Sequence, residues 1–135
     1  VIDNILLGER YQSVRSDDQL LEQVREILDT LQLPFPDHRP AFLTPWRLRL
    51  YQWVRALLCE PKLLVLERPF DGVPDRFRDG VETLERNFRQ RGGATLWITD
   101  KQDVIDQHAN RSGTTGTMYF QIANEKMLPM NVRQS

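Results

Sequence analysis

The chain has 135 residues, of which 40% are hydrophobic and 27% charged, and its formal net charge is -1. This composition is typical of a folded domain with one modest core and excludes a disordered chain. The small net charge provides no overall field for nucleic acid or acidic lipid, and the single cysteine excludes a disulfide framework. No apolar run approaches the roughly 20 residues of a membrane span. We therefore expect one cytoplasmic domain over residues 1–135.

Helical patterns dominate the first half of the chain. Ser16 stands three residues before Gln19, which is the spacing of a capping box, and apolar residues then recur at helical intervals to about Leu33. Three prolines make 34–42 a loop. Thr44 and Pro45 predict an N-cap and first position of another helix, which we expect to continue through 46–58.

Strands and helices alternate in the second half. The short apolar run 62–66 and the β-rich segment 94–99 predict two strands, separated by a helix over 74–90 that Gly92 and Gly93 end. One face of this helix carries the apolar stripe Phe77, Val81, Leu84 and Phe88. A short helix over 101–109 and a hairpin (117–122 with 126–128, turning at 123–125) complete the pattern. This order predicts an α/β fold with a parallel strand pair joined by a right-handed crossover.

The ends of the two predicted strands carry charged residues. Glu67 and Arg68 follow the first strand, and Asp100 and Lys101 follow the second. Ligands of open α/β sheets bind at the carboxyl ends of strands, and a carboxylate there can hold the magnesium that bridges phosphates. Leftover acidic residues without a metal are the favoured alternative, because no histidine accompanies them.

One dense run identifies a family. Residues 54–72 (VRALLCEPKLLVLERPFDG) resemble the ABC transporter ATP-binding stretch ARALLxxPKLLLLDEPFDG, which joins the signature helix to the Walker B strand. Segments 4–8, 21–33, 94–99 and 119–127 are similar to the flanking family elements in the same order. The resemblance covers about 1–128. It implies a partial P-loop NTPase-like fold: a helical subdomain with the signature helix over 1–60, a partial α/β core with a C-terminal hairpin over 61–128, and a tail over 129–135.

The resemblance also implies that the phosphate-contacting signature has changed. The family's LSGGQ falls on residues 43–47, which read LTPWR. Thr44 could still supply a hydroxyl to nucleotide. Pro45 has no N–H, and Trp46 places an indole where the family needs close backbone approach.

The catalytic positions differ in the same way. The Walker B aspartate falls on Glu67, which could still bind magnesium, and the catalytic glutamate falls on Arg68, whose cation cannot act as a general base. The switch histidine falls on Asp100, and the D-loop aspartate on Pro74. The 135 residues contain no Gly-x-x-x-x-Gly-Lys-Ser/Thr motif. ATP and magnesium are thus cofactors by resemblance only, and we expect no hydrolysis.

These substitutions lead to a hypothesis about partners. We expect a degenerate ATP-binding subunit or fragment that associates with a transporter permease, through residues 3–43, or with a second ATP-binding subunit, and so lies at the inner face of the membrane; a homodimer is a further alternative. Because the family's other strands are missing, the sheet should expose an open edge and part of a core.

Two other functions remain open. The chain could be a C-terminal fragment of an ATP-binding protein whose Walker A motif lies upstream, since it begins at Val1 without methionine. It could also be a scaffold or nucleic-acid-binding module, because aromatic and cationic residues interleave over 46–55. For that segment, a helix with one buried aromatic face and a solvated arginine face is the favoured interpretation, so nucleic acid is not the expected partner.

Overall fold

The computed structural model describes residues 1–12, 14–37, 39–111, 118–123 and 126–130. The chain divides into two compact units, Val1–Ile98 and Thr99–Ser135. The elements of the first unit are α1 (Ile2–Gln12), α2 (Asp17–Leu31), α3 (Pro45–Leu58), β1 (Leu63–Glu67), α4 (Arg78–Gln90) and β2 (Ala94–Ile98). Those of the second are α5 (Gln102–Arg111), β3 (Phe120–Ala123) and β4 (Lys126–Pro129). The α/β fold class is as predicted, with parallel strands flanked by helices.

Helix α2 begins at the predicted capping box. The Gln19 backbone N–H donates to the Ser16 hydroxyl oxygen at 3.4 Å, and the Ser16 N–H donates to the Gln19 side-chain oxygen at 2.9 Å. The helix ends at Gln32, whose φ of 53° is left-handed. Its buried stripe (Leu20, Val24, Leu28, Leu31) packs against α3 and α4. The predicted apolar periodicity therefore identifies the inward face of α2 correctly.

Helix α1 was not predicted from the pattern, because its apolar residues make no sustained helical stripe. Its buried residues Ile5 and Leu6 pack toward α3, which in turn buries Leu50, Val54 and Leu58. Tertiary contact with a neighbouring helix therefore stabilises α1 where its own sequence gives little signal.

The predicted parallel pair is present in the first unit. Leu63 pairs with Ala94, and Val65 pairs with Leu96. Helix α4 contacts β2, and its inward stripe is the predicted one, with Val81, Leu84 and Phe88 buried. The predicted bounds differ slightly, since β1 starts at Leu63 and a 3-10 turn over Asp75–Phe77 precedes α4. A 3-10 turn over Pro40–Phe42 lies within the segment that we predicted as a loop.

One face of this strand pair is exposed. Leu63, Val65, Leu96 and Ile98 keep 55%, 57%, 49% and 45% of their surfaces accessible. Parallel strands in proteins are usually buried on both faces. The expectation of a partly uncovered core is confirmed for this unit.

The second unit contains the predicted short helix and hairpin. Strands β3 and β4 pair antiparallel, with Phe120 opposite Pro129 and Ala123 opposite Lys126. The Met130 N–H donates to the Tyr119 carbonyl at 2.8 Å. Residues 117, 124 and 125 of the predicted hairpin and 131–135 of the predicted tail lie outside the described residues.

Candidate functional site

The first part of the candidate site is the start of α3. Thr44 is the N-cap, with φ of -66° and ψ of 151°, and Pro45 occupies the first helical turn as predicted. The Thr44 carbonyl accepts the Leu48 N–H at 3.1 Å, but its hydroxyl makes no capping hydrogen bond. Thr44 and Pro45 are exposed. The hydroxyl is therefore accessible, while Pro45 removes one backbone donor from the helix start.

Trp46 occupies the space beside this helix start. Its indole is half-buried and packs on Phe77, with ring centroids 4.9 Å apart and planes tilted by 31°. The pair joins the first turn of α3 to the 3-10 turn before α4. An anion approaching the α3 N-terminus thus meets a ring and an imino acid instead of the consecutive N–H groups that bind phosphate.

The second part of the site is the turn after β1. The Arg68 N–H donates to the Ile98 carbonyl at 2.8 Å, which extends the sheet pairing by one residue. Arg68 has a left-handed φ of 45°. Its carbonyl accepts the Arg49 Nη1 at 2.5 Å and the Asp71 N–H at 3.1 Å. These two donors hold a backbone conformation that non-glycine residues rarely adopt.

The side chains at this turn set its chemistry. Glu67 and Arg68 are both exposed at the end of β1. A guanidinium is protonated at any physiological pH, so Arg68 cannot accept a proton from water. Arg68 can donate hydrogen bonds to an anion, but it cannot act as a general base.

Glu67 as a magnesium ligand stays a prediction. Magnesium in nucleotide sites usually takes one or two carboxylates and completes its shell with phosphate and water, so the absence of a group of three His, Cys, Asp or Glu side chains among the described residues does not decide it. The helix start at Pro45 and Trp46 fits a nucleotide phosphate poorly, and we derive no reaction step through ATP or magnesium.

Asp100, the residue predicted at the switch position, belongs to the second unit. It is exposed and lies just before α5. The adjacent Lys101 N–H donates to the Thr99 hydroxyl at 3.1 Å. A carboxylate repels a phosphate and cannot donate a hydrogen bond to it when ionised.

Two aromatic residues of α3 lie on the buried face that the favoured interpretation predicted. Tyr51 and Trp53 are buried, with 3% and 5% of their surfaces exposed. The Tyr51 hydroxyl donates to the Pro34 carbonyl at 2.9 Å, and burial raises the pKa of Tyr51. Arg55 donates to the Asn4 side-chain oxygen at 2.8 Å. These two aromatics are therefore core residues and cannot stack on bases.

Several site residues were missed by the sequence reasoning. Arg49 was assigned to a solvated face, yet it holds the Arg68 carbonyl. The Trp46 contact with Phe77 was also unforeseen, because Phe77 was assigned to the stripe of α4. Trp46 and Arg49 are three residues apart, so they lie on one face of a helix. This spacing was the sequence signal that could have placed both of them at the site.

The helical part of the first unit carries a second surface of interest. Its exposed apolar side chains include Leu7, Tyr11 and Phe42, at 47%, 84% and 78%. A shallow cavity of about 260 Å³ is lined by Arg25, Leu28, Asp29, Leu33 and Phe35. No helix in the described residues is both long and apolar enough to cross a bilayer.

The chain is similar in sequence to ATP-binding proteins of ABC transporters. No protein-family model matches the chain. A sulfate/thiosulfate import ATP-binding protein of Bradyrhizobium diazoefficiens is 28% identical over 116 residues, covering 82% of this chain and 34% of its own length. The corresponding protein of Halalkalibacterium halodurans is 30% identical over 112 residues, covering 78% and 31%. A Bifidobacterium longum protein described as an ABC transporter ATP-binding protein is 26% identical over 112 residues, covering 82% and 14%. The chain thus spans about a third of the length of the sulfate/thiosulfate relatives.

Proposed function

We propose that this chain, which corresponds to part of an ABC transporter ATP-binding domain, belongs to a subunit that no longer hydrolyses ATP and acts by associating with a transporter permease or a partner ATP-binding subunit. The observation that carries the proposal is that Arg68 directly follows β1, at the position where the resemblance of residues 54–72 to the family places a catalytic carboxylate. Loss of one catalytic base typically costs about 10²–10⁴ in rate. The altered helix start at Pro45 and Trp46 adds to that loss.

The surface of the helical part supports association. Exposed Leu7 and Tyr11 lie one helical turn apart on α1, and Phe35 stands exposed beside the cavity. Neighbouring exposed apolar side chains, such as Leu7 and Tyr11 on α1, are a feature of protein interfaces. Residues 3–43 are therefore our proposed permease-facing surface, which would place the subunit at the cytoplasmic face of a membrane.

A second candidate function follows from the length of the relatives. The chain spans about a third of the sulfate/thiosulfate import ATP-binding proteins that it matches, so a Walker A motif encoded upstream is the second candidate. The two forms differ in nucleotide binding, because a P-loop supplies most phosphate contacts. A nucleic-acid-binding role is not favoured, since Tyr51 and Trp53 are buried.

The decisive experiment uses the natural gene product with any segment that precedes Val1. ATP hydrolysis is measured with magnesium for the natural protein and for its Arg68→Glu variant, beside calorimetric titration of a non-hydrolysable ATP analogue. We expect no hydrolysis above the blank in the natural protein. Turnover that depends on Arg68 would overturn the catalytic part of the proposal, and analogue binding without turnover would favour the upstream Walker A form.

A second experiment tests association. The natural protein is cross-linked in its own cells, and the membrane fraction is analysed by mass spectrometry for cross-links between residues 3–43 and an integral membrane permease. A Tyr11→Asp variant should lose those cross-links, while Arg86→Asp, on the exposed side of α4, should keep them. Cross-links to soluble proteins alone would contradict the proposed partner.

A further inference from the structure

Four side chains form a continuous run of contacts beside the candidate site. The Arg47 guanidinium lies 5.2 Å from the Trp46 ring centroid, Trp46 packs on Phe77 at 4.9 Å, and the Arg76 guanidinium lies 4.9 Å from the Phe77 ring. We call these residues the arginine–aromatic cluster. It spans two elements, the first turn of α3 and the 3-10 turn before α4, so its geometry is set by the fold of the first unit.

The cluster carries two positive charges that form no ion pair within the described residues. Within the described residues, neither Arg47 nor Arg76 has a carboxylate at ion-pair distance, and Arg47 Nε makes no hydrogen bond. The neighbouring carboxylate of Asp75 is already paired with Arg78 at 3.0 Å. Arg76 is exposed, whereas Arg47 is half-buried and its Nε lies inside the chain. A molecule outside the chain can therefore accept hydrogen bonds from Arg76 and from the terminal nitrogens of Arg47.

Contact with an aromatic ring also restricts the side-chain motion of both arginines before a ligand binds. A guanidinium held against an aromatic ring loses side-chain freedom before the ligand arrives, and less entropy is then lost on association. Two such groups near a half-buried indole combine charge with apolar surface. Tryptophan and arginine in this combination are the residues most enriched at the energetic centres of protein interfaces.

The class of anion follows from what surrounds the cluster. Phosphate sites rely on consecutive backbone N–H groups at a helix start or turn. Here Pro45 has no N–H, and Trp46 fills the space beside the α3 start. A carboxylate on a flexible side chain needs no such cradle, since it can take two parallel hydrogen bonds from a single guanidinium.

We propose that the arginine–aromatic cluster is a docking surface for an acidic segment of a protein partner, with a carboxylate for each arginine and an apolar side chain against Trp46. None of its four residues lies within 3–43. Its use does not depend on ATP hydrolysis or on a permease, so its test is independent of the proposed function.

The test measures binding of two labelled probes to the intact chain by fluorescence anisotropy at low salt. The probes are poly-L-glutamate and a random copolymer of glutamate and tyrosine. The copolymer should bind more tightly, because it adds ring contact to charge. Arg47→Gln and Arg76→Gln should each weaken its binding about tenfold, the effect of losing one charge-assisted hydrogen bond.

Two further variants separate the cluster from general electrostatic attraction. Arg86→Gln removes an exposed arginine of α4 and should leave binding unchanged. Trp46→Leu keeps the charge and an apolar side chain but removes both ring contacts, so it should weaken copolymer binding while far-UV circular dichroism stays that of the natural chain.

Three results would overturn the proposal. One is the absence of copolymer binding to the natural chain. Another is an equal loss of copolymer affinity in Arg86→Gln and Arg47→Gln, which would show that the affinity depends only on net charge. The third is displacement of the copolymer by pyrophosphate or a single-stranded oligonucleotide at lower concentration than poly-L-glutamate, which would make phosphate the ligand class.

Discussion

Arg15 connects three of the four helices of the first unit (α1, α2 and α3), and its removal is the sharpest test of how they are held together. From just before α2, it donates to the Gln23 side-chain oxygen at 2.7 Å and to the Leu58 carbonyl at the end of α3 at 2.9 Å. It also pairs with the Glu9 carboxylate of α1 and, at 2.9 Å, with Glu60. The Arg15 and Glu9 side chains are only 21% and 7% exposed.

The cost of Arg15→Met follows from this burial. The substitution keeps most of the apolar stem but leaves the Glu9 charge buried without a cation. Removing one partner of a buried pair costs about 3–5 kcal/mol. Because Arg15 is 21% exposed and water can reach the site, we expect the lower end, a loss of about 3 kcal/mol of unfolding free energy. The Glu60 pair adds little, since that side chain is 68% exposed.

Urea unfolding followed by far-UV circular dichroism at pH 7 measures this loss. Arg10→Met is the matched control: Arg10 also pairs with two carboxylates, Asp3 at 3.4 Å and Asp17 at 3.0 Å, but all three side chains are open to solvent. Its effect should be much smaller than that of Arg15→Met. Adding Glu9→Gln to Arg15→Met should recover stability, because a neutral amide needs no counter-ion. Equal losses for the two arginine variants, or no recovery with Glu9→Gln, would refute the reasoning.

Further outcomes follow from single close contacts. A Cβ on Gly80 would lie 2.7 Å from the Thr30 carbonyl oxygen, so Gly80→Ala should lower the unfolding free energy by about 1–3 kcal/mol. Gly8→Ala, where the nearest atom is 3.6 Å away, should raise it by about 0.5–1 kcal/mol in the same urea titration. Partial burial and a hydrogen bond to Glu9 raise the pKa of the Cys59 thiol; the folded chain should therefore hold less thiolate at pH 8 and react more slowly with iodoacetamide than the urea-unfolded chain, and an equal rate would contradict this. Arg49→Ala removes the charged donor to the Arg68 carbonyl, so amide hydrogen exchange across 68–73 should quicken about tenfold.

The elements that sequence predicted well are those with local causes. The Ser16 capping box, the four-residue stripe of α2 and the Thr44–Pro45 helix start all depend on residues a few positions apart, and all three are present. Helix α1 was missed because its stability comes from α3, which lies far away along the chain. The Arg49 contact with the Arg68 carbonyl was missed for the same reason, since it requires the turn after β1 to lie beside α3.

The residues predicted at the family's signature and catalytic positions differ in exposure from the apolar residues that form the core. Thr44, Pro45, Glu67 and Arg68 are exposed, whereas the apolar positions between them, such as Leu57, Leu58 and Leu64, are buried. Substitutions at exposed positions usually change stability by less than about 0.5 kcal/mol, while loss of a buried leucine costs about 2–5 kcal/mol. Catalytic residues at a strand end can therefore be replaced without unfolding the scaffold that holds them. On this argument the family's helix and strand pattern persists here because the core requires it, and its persistence is no argument for hydrolysis.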